Sequence, residues 1–174
     1  GIELVIDKRF NPPDEVEPTY HGNATLKAVA AAKQFRMHAL GEDSGIEVEA
    51  LNWMPGSLSA RFAALPPELK AKLLDGPTPD LLRLAARLQI SALPSAEENN
   101  EFILQLLKAL PTRDAFSFEA RYVSHLVLVD PSGRIIARVE CSAYGRISER
   151  PAGGGGIGHE TSIPSRPALG RTAA

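Results

Sequence analysis

The stretch ALGEDSGIEVEAL, residues 39–51, decides how the chain is read. Ile46, Glu47, Val48, Glu49 and Ala50 alternate apolar and polar, the period of a strand with one face buried. His38 to Leu40 is a short strand candidate ahead of it. Between them Glu42 and Asp43 precede Ser44-Gly45. Asp, Ser and Gly are turn formers, since Asp and Ser bond their own backbone and Gly accepts positive φ. Paired carboxylates also suit a hard cation such as Mg²⁺, which takes oxygen ligands and substrate phosphates. Adjacent strand residues point to opposite sides, so one acid could ligate while the other orients water. Both readings, a solvated turn and a water-activating metal site, stand at this point.

Upstream lies TYHGNATLKA, residues 19–28, which opens an alanine-rich helix expected over 23–35. Asn23 and Lys27 are four apart and share a helix face. An amide and an ammonium there could donate to phosphate oxygens, or form a solvated face. Residues 7–18 carry three prolines and four acids and read as a loop. Ile2 to Ile6 is apolar apart from Glu3 and reads as a strand. Downstream, 52–56 is a turn, and Arg61 could clamp an anion or serve a structural ion pair.

Residues 66–74 read as a helix. Thr78, with Pro79 at the first helical position, starts another. Ser95-Ala96-Glu97-Glu98 is a capping box opening a helix that runs to about Leu110. Residues 121–129 and 135–143 form a hairpin around Asp130-Pro131-Ser132-Gly133. The run RPAGGGGIGHE, residues 150–160, is either a flexible linker or a loop whose N–H groups can approach a phosphate or base. The class is mixed α and β: a twisted mixed sheet with flanking helices, in one domain spanning 1–174, with 65–94 a helical insertion.

Composition narrows the function. The chain has 174 residues and a net charge of −2, too acidic for wholesale nucleic-acid binding but compatible with a small anionic ligand. No apolar run is long enough for a membrane span. Cys141 is the only cysteine, so an intrachain disulfide is impossible and a reducing cytoplasm fits. The four histidines have no ligand spacing.

Taken in order, these blocks resemble the inosine triphosphate pyrophosphatases. That family runs from a strand and an acidic, proline-bearing loop into Glu-Asn-Ala-x-x-Lys-Ala; here Gly22-Asn23-Ala24-Thr25-Leu26-Lys27-Ala28 stands there. Its Ala-Asp-Asp-Ser-Gly-Leu is similar to Gly41-Glu42-Asp43-Ser44-Gly45-Ile46. Its Pro-Gly-x-x-Ser-Ala-Arg-Tyr is similar to Pro55-Gly56-Ser57-Leu58-Ser59-Ala60-Arg61-Phe62. Its Gly-Gly-Phe-Gly-Tyr-Asp-Pro is similar to Gly155-Gly156-Ile157-Gly158-His159-Glu160-Thr161.

The resemblance implies a Mg²⁺-dependent hydrolase that splits ITP, dITP or XTP into monophosphate and pyrophosphate, cleansing the nucleotide pool. It implies Asp43 as the residue activating water, and Glu42 with Asp43 at the metal. Asn23 and Lys27 would face the phosphates and Ser44 the nucleotide, while Gly156, Ile157, Gly158, His159 and Glu160 would line the base pocket. It further implies a cytoplasmic homodimer. The family's N-terminal phosphate loop and C-terminal Ser-His-Arg segment are absent, so the chain reads as part of a longer protein. Gly22 in place of a glutamate, and Ile157 in place of a phenylalanine, motivate an alternative: a degenerate member that binds nucleotides or a partner without catalysis.

Overall fold

In a computed structural model, the structure describes residues 3–110 and 118–147. Helix α1 (Tyr20–Phe35) is followed by strand β1 (Ala39–Val48) and a two-residue strand β2 (Met54–Pro55). Three helices come next: α2 (Pro67–Asp75), α3 (Pro79–Arg87) and α4 (Ala96–Ala109). A long hairpin closes the order, β3 (Phe118–Val129) and β4 (Ile135–Ile147). The sheet runs β2-β1-β3-β4, and every pair is antiparallel among the described residues. The class is the mixed α/β one expected.

The local signals act as their chemistry dictates. Thr19 caps α1, its hydroxyl accepting from the Gly22 amide, so the helix begins three residues earlier than its alanine run suggests. Thr78 accepts from the Leu81 amide at the start of α3. Ser95 and Glu98 complete a reciprocal capping box on α4.

Two expectations are corrected. The acidic stretch is no turn: β1 passes straight through Glu42-Asp43-Ser44-Gly45, paired residue by residue with β3 from Ala39↔Val129 to Val48↔Ala120. Ten consecutive partners outweigh the local preference of Asp, Ser and Gly for turns. The direction changes later, where Asn52 and Trp53 both take positive φ. The segment from Glu3 to Ile6 forms no strand. Leu4, Val5 and Ile6 stand 77%, 70% and 94% exposed, because no described strand lies alongside to complete a ladder.

β1 divides the molecule. Its even positions Ile46 and Val48 enter the larger core with Leu51, Phe62, Leu73, Ile103 and Leu107. Its odd positions 41, 43 and 45 face the other way. There α1 lies against the sheet through Ala24, Ala28 and Ala32, packed on Val127 and Val129. Each fully buried aliphatic side chain in the larger core contributes about 1.5–3 kcal/mol. The α1 layer has few large side chains and depends on close approach instead. At Gly41 a Cβ would overlap the Ala24 carbonyl oxygen and stand 2.6 Å from the Ala28 nitrogen. No helix among the described residues is long and apolar enough to cross a membrane.

Candidate active site

Close packing of α1 on β1 brings the chemistry together. Asp43 lies between Gly41 and Gly45 on the α1-facing side and is only 4% exposed. Asn23 and Lys27, one helical turn apart, both look down on it. Lys27 Nζ donates to Asp43 Oδ1 at 2.9 Å and to the Glu42 carbonyl at 3.0 Å. Asn23 Nδ2 donates to Asp43 Oδ2 at 3.3 Å. A third group arrives from the loop before α1: Glu15 Oε1 lies 2.5 Å from Lys27 Nζ.

The electrostatics follow from burial. Desolvation pushes the Asp43 carboxyl up to about 6; the Lys27 hydrogen bond opposes this and the Glu15 charge adds to it. Burial alone would lower the Lys27 pKa, yet its bonds to Glu15 and Asp43 leave it raised. One ammonium faces two carboxylates, so the cluster keeps an excess of negative charge.

The structure therefore brings Asn23 and Lys27 within hydrogen-bonding distance of Asp43. Two other residues expected at the site, Glu42 and Ser44, are turned away from it. Strand alternation sends the Glu42 carboxylate to the opposite, open face of the sheet, where it accepts from Ser124 Oγ at 2.9 Å. Ser44 is on that same face, 2.7 Å from the Tyr122 hydroxyl. Glu42 reaches the Asp43 side only through its backbone carbonyl. Gly156, Ile157, Gly158, His159 and Glu160 lie outside the described residues. Arg61 is structural: it donates to the Ala86 and Leu88 carbonyls at 2.7 and 3.4 Å, tying the end of α3 to the core.

Sequence reasoning missed Glu15, Tyr20 and His125. Glu15 sits among prolines, twelve positions before Lys27, where no periodicity predicts a contact. The Tyr20 ring stacks on His125 with centroids 5.5 Å apart, and its buried hydroxyl has no hydrogen-bond partner among the described residues. Burial, with Glu47 and Asp43 nearby, raises the Tyr20 pKa. His125 is the cross-strand partner of Asp43, and its Nε2 lies 3.4 Å from Glu140 Oε2.

Could a metal be held here? Among the described residues no group of three or more His, Cys, Asp or Glu converges as a complete cage. Two carboxylates and one carbonyl do surround a cation, the Lys27 ammonium. An all-oxygen set of this kind fits a hard divalent cation that completes its shell with water and substrate phosphates.

Comparison with known proteins identifies relatives of the whole chain. The model of the Ham1 family matches residues 2–174. A dITP/XTP pyrophosphatase of Anaeromyxobacter dehalogenans is 35% identical over 148 residues, covering 82% of this chain and 59% of that protein. One from Exiguobacterium is 34% identical over 174 residues, covering 99% of this chain and 71% of its own length. The chain thus spans less than two thirds of the first of these relatives. Among solved structures, a nucleoside-triphosphatase / dITP/XTP pyrophosphatase from Mycobacterium abscessus superposes with a TM-score of 0.59 at 27% identity, covering 97% of this chain and 72% of that one. A HAM1 protein from Coxiella burnetii gives a TM-score of 0.59 at 26% identity, with coverages of 87% and 64%.

Proposed function

The chain belongs to the Ham1 family, and on that premise we propose that it hydrolyses non-standard purine nucleoside triphosphates, dITP and XTP foremost, to the monophosphate and pyrophosphate. The observation that carries this reading is the buried Asp43 carboxylate, held on both oxygens by Lys27 and Asn23.

Attack by water on the α-phosphorus forms one P–O bond and breaks the bond to the bridging oxygen, so that pyrophosphate leaves. The water must lose a proton. Asp43 is the proton acceptor: burial raises its carboxyl to about 6, and a divalent cation beside it would lower that value, so the acceptor role would rely on the cation also acidifying the water. Lys27, once its ammonium leaves the Glu15, Asp43 and Glu42 oxygens it now bonds, presents it to the phosphate oxygens and offsets charge developing on them. Glu15, Asp43 and the Glu42 carbonyl would hold Mg²⁺, which when bound neutralises phosphate charge and makes the attacking water more acidic.

The loop from Gly156 to Glu160 would line the base pocket, while Ser44, on the opposite face of the sheet beside Tyr122, is left out of this site. We read residues 1–174 as a single domain with α2 and α3 as an inserted pair. The cytoplasm and a homodimer are the expected setting.

The test is pyrophosphate release from dITP or XTP with Mg²⁺ by the full chain. Turnover that disappears in Asp43→Asn supports the reading. Equal turnover in that variant would refute the role of Asp43. Nucleotide binding without turnover in the wild type would favour the non-catalytic alternative.

A further inference from the structure

Gly22 occupies the third position of α1, its amide on the Thr19 hydroxyl at 3.1 Å. Glycine weakens a helix, because it loses more backbone freedom than any other residue. Its use here is space. A Cβ at this position would stand 2.6 Å from Glu17 Cβ and 2.9 Å from Glu17 Cγ. The segment before the helix can fold back across the first turn only because residue 22 has no side chain.

Asn23 supplies the polar half of the contact, and it is 1% exposed. The Glu17 amide donates to Asn23 Oδ1 at 3.0 Å, and Asn23 Nδ2 donates to the Glu17 carbonyl at 3.2 Å. The second Nδ2 proton goes to Asp43. A side-chain amide has two donors, and both are spent. Asn23 therefore has no N–H left for a phosphate oxygen. What it does instead is fasten the peptide groups of Glu17, two residues from Glu15, to the carboxylate of Asp43.

We propose that Gly22 and Asn23 form a docking pair for residues 15–18. Both are positioning residues that set Glu15 and Asp43 about Lys27, and Asn23 is not a phosphate contact. The catalytic consequence rests on the hydrolase reading above; the docking does not.

Gly22→Ala separates positioning from mere structure. Alanine is the better helix former, so α1 gains, while the new methyl group displaces Glu17. The full chain is compared as wild type, Gly22→Ala and Asn23→Ala. The readouts are amide hydrogen exchange at Glu17, the urea unfolding midpoint, and kcat and KM for dITP. In Gly22→Ala the midpoint is kept, while Glu17 exchange speeds by about tenfold or more as its docked state opens. Displacing groups from a catalytic cluster lowers kcat by roughly 10- to 100-fold, with KM within about twofold. Asn23→Ala gives the same pattern with a lower midpoint.

Unchanged exchange at Glu17 in either variant overturns the docking. Unchanged kcat in Gly22→Ala despite faster exchange overturns the positioning role. A raised KM with unchanged kcat in Asn23→Ala restores a direct phosphate contact. Should the wild type fail to turn over dITP, the hydrolase reading fails by itself, and Glu17 exchange alone decides the docking.

Discussion

Replacing Gly41 with alanine would drive a methyl carbon into the Ala24 carbonyl oxygen and to 2.6 Å from the Ala28 nitrogen. Both are backbone atoms in the middle of α1, so no side chain can rotate away. The helix must lift from the sheet. Overpacking of this kind typically costs 1–3 kcal/mol, and with rigid backbone opposite we expect about 3 kcal/mol. The same displacement draws Asn23 and Lys27 off Asp43. A shift on the order of 1 Å in a catalytic cluster is enough to lose roughly 100-fold in kcat. Urea denaturation at neutral pH reads the first effect, and steady-state pyrophosphate release reads the second. Gly76→Ala is the control: its φ of −177° is ordinary extended backbone and nothing lies within 4 Å of an added Cβ, so the change should stay within about 0.5 kcal/mol. If Gly41→Ala matches that control in stability and keeps full turnover, α1 does not depend on close approach, and the account of how the cluster is held together is wrong.

Two further outcomes follow from the same structure. Asp43, with a folded pKa of about 6 against an ordinary 3.8, retains a proton in the native state that the unfolded chain has lost between those values. Its contribution to stability is therefore full below about pH 4 and lost as pH rises through 6, a swing of up to about 3 kcal/mol. Urea titrations of wild type and Asp43→Asn from pH 4 to 8 should show wild type losing ground to the variant with rising pH; a constant difference would count against the buried acid. Separately, Asn99 is 2% exposed, accepts from the Ala63 amide and donates to the Ala60 and Ser95 carbonyls. Asn99→Ala should lower unfolding stability by about 2–3 kcal/mol, and a loss below about 0.5 kcal/mol would mean those groups find other partners.

What could be read from the sequence was what is decided locally. Thr78 and Ser95 announce helices because a cap bonds groups within three residues. The four-residue spacing of Asn23 and Lys27 put them on one face, and both look toward Asp43. Distant decisions were hidden. Glu42-Asp43-Ser44-Gly45 has turn chemistry by every local rule, yet a partner strand some eighty residues away in sequence keeps it extended. Gly41 and Gly45 are there for close approach, which depends on what packs above them. The apolar run before Asp7 has the composition of a strand, but a strand exists only with a neighbour. Glu15 reaches Lys27 across a loop without periodicity, and its arrival depends on the bare helix face at Gly22.

Gly41 and Gly45 carry a consequence for folding fidelity. A strand that slips by one residue exchanges its two faces. In β1 that slip would put side chains, Leu40 and Ser44 in one direction or Glu42 and Ile46 in the other, into the places of Gly41 and Gly45 under α1 and the Gly56 turn, where even a methyl group has no room. It would also withdraw Ile46 and Val48 from the larger core. Misregistered sheets are thus rejected by steric overlap on one side and by lost burial on the other. The glycines that let Lys27 and Asn23 reach Asp43 also proofread the register that put Asp43 there. Molecules that pass this check are the ones with the carboxylate facing inward, beneath Lys27 and Asn23.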